Sequence, residues 1–346
     1  ADALGQALAL TESTNRYELA DFSEYNDIFL LHNSSGKLNG VKESIFMENI
    51  KDYSGRWRWN MVNDFRPQSI EYSGIKCYPT ANYVNYYGMQ NGYPINDMTK
   101  ADAESGYDPT HPWKNRDPRF YKTIMFDGVK WKSTGGAGGT AELFTGGRES
   151  EEANEKKGCF TAYMNSKLCP QLMNTVDGYK ENNIMILSLM RLADVYLMYA
   201  EATAVGYNGP KGKAATYSLT AEEALNKIRE RAGVAPVLDK FLGSTADFLS
   251  ELRRERAVEL SFEGFRFIDL RRWMLLTQYP YTLKTKIEFD RADPSDYNYD
   301  EPEENAIKNL REVVLLERKY TDRHYWYPLP KKDVSMYEGF YQNPGW

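Results

Sequence analysis

Apolar residues recur at intervals of three and four in the second half of the chain. The clearest case is residues 184–204, where Leu189, Leu192, Tyr196 and Ala200 fall on one face of a helix. The pattern predicts one long helix over this stretch. Several alanines lie on the same face, so a second helix can approach it closely.

Three further helices are predicted after the first. Thr220 and Glu223 have the spacing of a capping box, and Gly233 suits the left-handed position just beyond a helix end. Residues 247–262 and 265–276 continue the helical spacing. A helix, a connection and a second helix with alanines at the contact is the plan of a tetratricopeptide-like hairpin.

The first half of the chain has no sustained period. Residues 2–10 have helical spacing and resemble the end of a helix, and residues 44–47 suit a short strand. Three prolines place residues 107–119 in a loop. We expect a mostly α protein with an irregular, aromatic-rich part at residues 1–183 that contains short strands. A helical part with a loop-rich end follows at residues 184–346.

Composition narrows the classes of function. The 346 residues carry 43 Lys and Arg against 49 Asp and Glu, a net charge of −6, which argues against a broad nucleic-acid-binding surface. Hydrophobic residues make up 42%, enough for a sizeable core. Aromatic residues reach 14%, with 26 tyrosines, so flat apolar faces with a polar edge are abundant. The sequence has no run of 18 apolar residues that would predict a membrane-spanning helix.

Cysteine, histidine and glycine patterns favour neither a metal nor a cofactor. Cys77, Cys159 and Cys169 are an odd number and give no disulfide framework, although Cys159 and Cys169 can close a short loop. The three histidines form no Cys/His cluster in the sequence, which argues against a zinc site. The glycines at 135–147 lack the Gly-Lys-Ser/Thr ending of a phosphate-binding loop. We therefore expect no metal and no cofactor.

Charged residues are dense between positions 253 and 272. Glu255 and Glu259 lie one helical turn apart, so they could serve as the paired carboxylates of a glycoside hydrolase. Neighbouring arginines, however, favour the ionised carboxylate, whereas a general acid must hold a proton. We interpret this cluster as a lattice of ion pairs that pins two helices together.

The segment Arg116-Asp117-Pro118-Arg119 admits two interpretations. Its arginines could bind an anion. We favour a structural clamp, in which Asp117 caps the turn and the arginines bridge layers of the fold.

The tryptophan-rich segment near residue 57 is the best candidate for ligand binding. Trp57 and Trp59 alternate with arginines, so both indoles lie on one side if the segment is extended. Exposed aromatic rings stack on the apolar faces of sugars, and nearby polar groups can bind hydroxyls. The alternative is that both tryptophans are core residues. Tyr297 and Tyr299 are weaker candidates. The predicted ligand-binding residues are Tyr53, Arg56, Trp57, Trp59, Asn60 and Asp64.

Several ordered segments resemble the SusD/RagB family. The hallmark helix is matched by Met-Arg-Leu-Ala-Asp-Val-Tyr-Leu-Met-Tyr-Ala-Glu-Ala at residues 190–202, followed by matches at 224–233 and 252–273. Other matching segments are Asn-Gly-Tyr-Pro-Ile at 91–95, Asn-Arg-Asp-Pro-Arg-Phe-Tyr at 115–121, Tyr-Pro-Leu-Pro at 327–330 and Gln-Asn-Pro-Gly-Trp at 342–346.

The resemblance implies a fold and a role. The fold is a tetratricopeptide-like α-superhelix packed against an irregular part. The role is that of a surface-exposed outer-membrane lipoprotein without catalytic activity, which binds nutrients, usually glycans, and delivers them to a SusC-like TonB-dependent transporter. The chain corresponds to the C-terminal two-thirds of a typical member. The lipid anchor, its only expected contact with the membrane, belongs to a preceding N-terminal segment.

Two expectations follow for this chain. Leu4, Leu8 and Leu10 form an apolar stripe that would lack a partner without preceding helices, so we expect self-association. We also expect glycan binding with micromolar to millimolar dissociation constants.

Two alternative functions stay open. One is a peptide-binding member of the same fold, because the acidic loop at residues 293–304 suits basic peptides. The other is a carboxylate glycoside hydrolase.

Overall fold

The computed structural model of the chain describes residues 1–31, 40–47, 78–131, 139–153, 158–168 and 184–346. The helices in these ranges are Asp2–Thr14 (α1), Ala81–Val84 (α2), Pro118–Thr123 (α3), Leu192–Gly206 (α4), Ala221–Ala232 (α5), Thr245–Glu259 (α6), Phe265–Arg272 (α7) and Lys331–Met336 (α8). The strands are Leu30–Leu31 (β1), Ser44–Met47 (β2), Ile124–Met125 (β3), Met164–Asn165 (β4), Ile184–Met185 (β5), Ser188–Arg191 (β6), Leu283–Arg291 (β7) and Ile307–Glu317 (β8).

The strands of the described ranges form antiparallel pairs rather than a large sheet. They pair as β1 with β5, β2 with β6, β3 with β4, and β7 with β8. The first three pairs are short and tie distant parts of the chain together. The predicted strand at residues 44–47 is confirmed as β2.

The fourth pair is a long hairpin that the sequence analysis missed. Strand β7 alternates between partly and fully buried positions, and it packs beside α2. Ile287 and Phe289 are the apolar residues of its buried face. The segment has the period of two typical of a half-buried strand, which a search for helical spacing overlooks.

The predicted long helix begins later than expected. Residues 184–191 form β5 and β6 instead, and α4 starts at Leu192. Ser188–Arg191 pairs with Ser44–Met47, so backbone pairing with a distant segment overrides the local helical period. The rest of the prediction holds, since α4 is buried on nearly all sides between α1, α5 and α6.

The capping predictions for α5 are confirmed. The side chain of Thr220 accepts from the backbone N–H of Glu223, and the Glu223 carboxylate accepts in return. Gly233 follows in the left-handed conformation at φ 72°. Helix α6 ends at Glu259, earlier than the predicted 262. Phe262, with a left-handed φ of 62°, lies in the turn that follows.

Two predictions for the first half need correction. Residues 107–117 are irregular, but Pro118 and Arg119 are helical, because proline fits the first position of a helix that Asp117 caps. The N-terminal stripe does have a partner within the chain. Helix α1 packs on α4, and Leu8 is fully buried. Leu10, at 64% exposure, is the part of the stripe left in solvent.

The buried apolar residues form two main clusters and a smaller one. The helical cluster joins Leu8 with residues of α4, α5 and α6. The loop-rich cluster contains Trp113 and Trp131 and reaches the β7–β8 hairpin. Cys159 is a buried free thiol in this second cluster, whereas Cys77 and Cys169 lie outside the described residues. None of the helices in the described ranges is long and apolar enough to cross a membrane.

Candidate functional site

The paired carboxylates of α6 are neutralised by arginines. Glu259 is fully buried, and its oxygens lie 2.7 Å from Arg191 Nη1 and 3.0 Å from Arg119 Nη1, with Arg231 also in contact. Burial by itself would raise the pKa of Glu259, but these arginines hold it well below its usual range. A carboxylate in this state cannot donate a proton as a general acid.

Glu255 is also paired with arginines. It is nearly fully buried, accepts from Arg229 Nε at 3.0 Å, and contacts Arg119. Glu251, one turn earlier, contacts Arg229 and Arg254. Against the effect of burial, these two arginines lower the pKa of Glu251 to about 2. The predicted lattice of ion pairs is confirmed.

The lattice also joins the helices to the irregular part. Arg191, at the end of β6, contacts Glu43 at 2.6 Å and Glu263 at 2.8 Å. Lys167, from the loop-rich part, contacts Glu263 at 2.6 Å. All four side chains are almost completely buried. These charges therefore hold the architecture together.

The predicted clamp at residues 116–119 is confirmed as well. The Asp117 side chain accepts from the backbone N–H of Arg119 and caps α3. Arg116 donates to the carbonyl oxygens of Val84, Tyr87 and Pro112. Both arginines are buried and have partners, so this segment is not an anion site.

The two candidate tyrosines of the acidic loop lie in different environments. Tyr297 is buried, and its hydroxyl donates to Asp127 at 2.9 Å while Arg291 lies 3.8 Å above its ring. Tyr299 contacts the edge of this cluster through Arg291. Tyr297 is therefore a core residue. The loop at 293–304 is otherwise mostly exposed, as predicted.

The main predicted site cannot be placed on the structure. Its residues, Tyr53, Arg56, Trp57, Trp59, Asn60 and Asp64, lie outside the described residues. They remain a prediction.

The described residues do contain a cleft of about 510 Å³ that suits an extended polar ligand. It lies between the start of α2, the turn and helix from Leu260 to Leu270, and one end of the β7–β8 hairpin. Five aromatic residues of the described chain line it: Tyr78, Tyr83, Phe262, Phe267 and Tyr281. The other lining residues are Pro79, Thr80, Leu260, Gly264, Arg266, Leu270, Leu276, Lys284 and Arg318.

Local backbone conformation shapes the cleft wall. Phe262 and Gly264 both have left-handed φ angles, of 62° and 89°, which end α6 and start α7 within a few residues. Phe262 lies 6.3 Å from the ring of Tyr83, whose hydroxyl donates to the carbonyl oxygen of Ala257 at 2.6 Å. The strained turn thus holds aromatic rings along one wall.

Two polar atoms of cleft residues are buried without a partner. Oγ1 of Thr80 and Nη1 of Arg266 form no hydrogen bond within the described part of the chain. Unsatisfied buried polar atoms are rare in proteins, and their presence in a cleft is typical of a place that a ligand or water completes. Arg266 is held in position by two rings, with its guanidinium 4.8 Å from Tyr86 and 5.4 Å from Tyr281.

A second groove is less suited to a sugar. It also measures about 510 Å³ and is lined by amides and glycines, including Gln90, Asn91 and Asn115. Among the described residues of its lining there is no aromatic ring. Asn91 already donates to the carbonyl oxygen of Ser105. We therefore take the aromatic cleft as the candidate site.

Within the described ranges, no group of three or more acidic, cysteine or histidine residues could hold a metal ion.

The sequence analysis missed the aromatic cleft because its residues come from three distant segments. Only the lining residues between Leu260 and Leu270 fall inside a motif that carried the family resemblance. Lys284 lies on β7 and Arg318 directly follows β8, and this hairpin was not predicted.

A family model decides what kind of protein this is. The model described as the SusD family matches residues 42–346. The chain belongs to the SusD family. The expected family and fold are therefore confirmed. A comparison with curated proteins finds no match.

Solved SusD-like structures share the fold. A SusD-like protein from Bacteroides fragilis is 22% identical with a TM-score of 0.71, over 95% of this chain and 59% of its own. A SusD-like carbohydrate binding protein from the same species is 19% identical with a TM-score of 0.64, over 96% and 59%. A SusD superfamily protein from Bacteroides vulgatus is 21% identical with a TM-score of 0.50, over 80% and 49%. The chain thus spans about half to three-fifths of the length of these relatives.

Proposed function

We propose that this SusD-family chain is a non-catalytic glycan-binding component of a nutrient uptake system at the bacterial outer membrane. In this role it binds oligosaccharides as a surface lipoprotein and delivers them to a SusC-like TonB-dependent transporter. The observation that carries the proposal is the aromatic cleft, where flat rings and unsatisfied polar groups lie together. One structural relative is described as a carbohydrate binding protein, in agreement with this role.

The chemistry of the cleft suits sugars. Pyranose rings offer apolar C–H faces to aromatic rings and hydroxyls to arginine, lysine and threonine. By analogy with base–aromatic contacts, each stacked ring contributes about 1–2 kcal/mol. Two or three rings give affinities in the micromolar to millimolar range. A component that must release its cargo to a pore benefits from such weak binding.

The glycosidase alternative has little support. Glu255 and Glu259 are enclosed by arginines, and neither lines the aromatic cleft. The charged residues that do line it, within the described ranges, are cations rather than carboxylates. The described part of this site therefore lacks the carboxylate pair that glycoside hydrolysis requires.

Phe267 provides a test of the cleft. It is 39% exposed, so Phe267→Ala removes a contact surface without opening a buried cavity. We expect glycan affinity to fall roughly tenfold, equivalent to about 1.4 kcal/mol, with a small change in melting temperature. Affinity electrophoresis or calorimetry measures this loss. Phe340→Ala is the matched control, because Phe340 is 44% exposed and lies outside the cleft. Equal effects of the two substitutions on glycan affinity would show that the cleft is not the binding site.

Trp57 and Trp59 are tested separately. We propose that they add a stacking platform, together with Tyr53, while Arg56, Asn60 and Asp64 orient hydroxyls. Changing either tryptophan to Ala should abolish retardation in a glycan-containing gel and leave the melting temperature nearly unchanged. A loss of about 3 kcal/mol or more in unfolding free energy is the mark of a core tryptophan and would contradict this assignment.

A further inference from the structure

Three cations share the aromatic cleft. Arg266 comes from α7, Lys284 from β7, and Arg318 from the segment that follows β8. In the described part of the chain, none of them forms an ion pair with a carboxylate. Arg191 shows the contrast, since it contacts Glu43, Glu259 and Glu263. In a chain with a net charge of −6, this is a local concentration of positive charge that no described carboxylate pairs with.

The electrostatics of Lys284 reflect this concentration. Burial, together with repulsion from Arg318 and Arg266, lowers the pKa of Lys284 to about 8. The protein therefore holds this ammonium group at a cost. An anion in the cleft would relieve that cost by neutralising the three like charges.

Arg266 is shaped for an oxyanion. The Tyr86 and Tyr281 rings fix its guanidinium plane, and buried Nη1 has no hydrogen-bond partner among the residues that the structure describes. A guanidinium held in one orientation matches the paired oxygens of carboxylate or sulfate. Lys284 and Arg318 supply further charge along the same cleft.

We propose that the cleft binds an anionic oligosaccharide, whose carboxylate or sulfate groups pair with Arg266, Lys284 and Arg318 while its rings contact the aromatic lining. The inference rests on the proposed function, because the aromatic lining is what recognises the sugar. It also disfavours a basic peptide, which these cations would repel.

Matched ligands test the charge requirement. An oligogalacturonate is compared with its carboxyl-reduced, neutral form, and a sulfated galactan oligosaccharide with its desulfated form. We expect at least one charged member to bind roughly tenfold or more tightly than its neutral counterpart, and its binding to weaken as salt rises from 50 to about 300 mM. The member that binds distinguishes carboxylate from sulfate as the recognised group.

Lys284→Met assigns the effect to the cleft. The substitution removes a half-buried cation that has no carboxylate partner among the described residues, so we expect the fold to persist. Affinity for the charged ligand should fall at least about fivefold. Lys308→Met is the control, since it removes the same charge at the opposite end of the hairpin. Its affinity should stay within about twofold of the parent.

The outcomes separate the two proposals. Equal binding of charged and neutral partners, with sensitivity to Phe267→Ala, overturns the anionic preference and leaves glycan binding intact. Equal effects of Lys284→Met and Lys308→Met also overturn it. Binding of poly-glutamate as tightly as the acidic sugars overturns the glycan as ligand. Absence of binding to every glycan tested overturns both proposals.

Discussion

Glu259→Gln is expected to lower the free energy of unfolding by about 3–5 kcal/mol. The substitution removes the carboxylate that Arg119, Arg191 and Arg231 share, so the buried cluster is left with one positive charge too many, and excess buried charge is costly. Urea unfolding followed by circular dichroism measures the change. Glu255→Gln should act in the same direction, because it deprives Arg119 and Arg229 of a partner.

A surface pair provides the control for this experiment. Glu18 and Lys42 form an ion pair at 3.2 Å, and both side chains are about half exposed. Glu18→Gln should therefore change stability by less than about 1 kcal/mol. A loss below about 1 kcal/mol for Glu259→Gln too would mean that the lattice does not hold the fold together. A hydrolytic activity that disappears in Glu255→Gln without loss of stability would revive the glycosidase alternative.

Acid should unfold the protein through the same lattice. Glu251, Glu259 and Glu263 all have a pKa below the usual glutamate value, because arginines or Lys167 oppose the effect of burial. A carboxylate with a lowered folded-state pKa stabilises the fold above its unfolded pKa. It loses that contribution as pH falls through the folded value. Stability should thus decline below about pH 4.5 and continue to decline towards pH 2.

The size of the acid effect can be estimated from Glu251. A pKa lowered from 4.5 to about 2 corresponds to about 3 kcal/mol, of which most is lost by about pH 3. Asp194 acts in the opposite direction, since burial raises its pKa despite its contact with Arg256. The urea midpoint of unfolding, measured between pH 7 and 3, reports the sum of these opposing contributions. Glu251→Gln should make this midpoint less dependent on pH. A stability that is the same at pH 7 and pH 3.5 would contradict the role assigned to these carboxylates.

The sequence predicted the parts of the fold that depend on local spacing. The capping box could be predicted because Thr220 and Glu223 lie within one turn of one helix. The lattice around Glu255 and Glu259 was predicted from the density of charge along the chain, but the arginines that pair with these two carboxylates belong to other elements: Arg119, Arg191, Arg229 and Arg231. The start of α4 could not be, since β6 forms only when residues 44–47 lie beside it. Pairing across such a separation leaves no local periodic signal.

The aromatic cleft shows the same limit more strongly. Its rings and cations meet only after α2, α7 and the hairpin have assembled. Isolated aromatic and basic residues are common in this sequence, so nothing marked Tyr281, Lys284 or Arg318 beforehand. The turn at Phe262 and Gly264 lay within a recognisable motif, but its left-handed backbone was not visible in residue spacing.

Glycan binding by the full chain tests the central claim most directly. The protein is passed over a panel of neutral, carboxylated and sulfated oligosaccharides, and bound ligands are recovered after prolonged incubation. The account predicts that at least one glycan is retained with a micromolar to millimolar dissociation constant and is recovered uncleaved. Its affinity should fall roughly tenfold on Phe267→Ala but not on Phe340→Ala. Folded protein that retains none of them, or that releases new reducing ends, would contradict it.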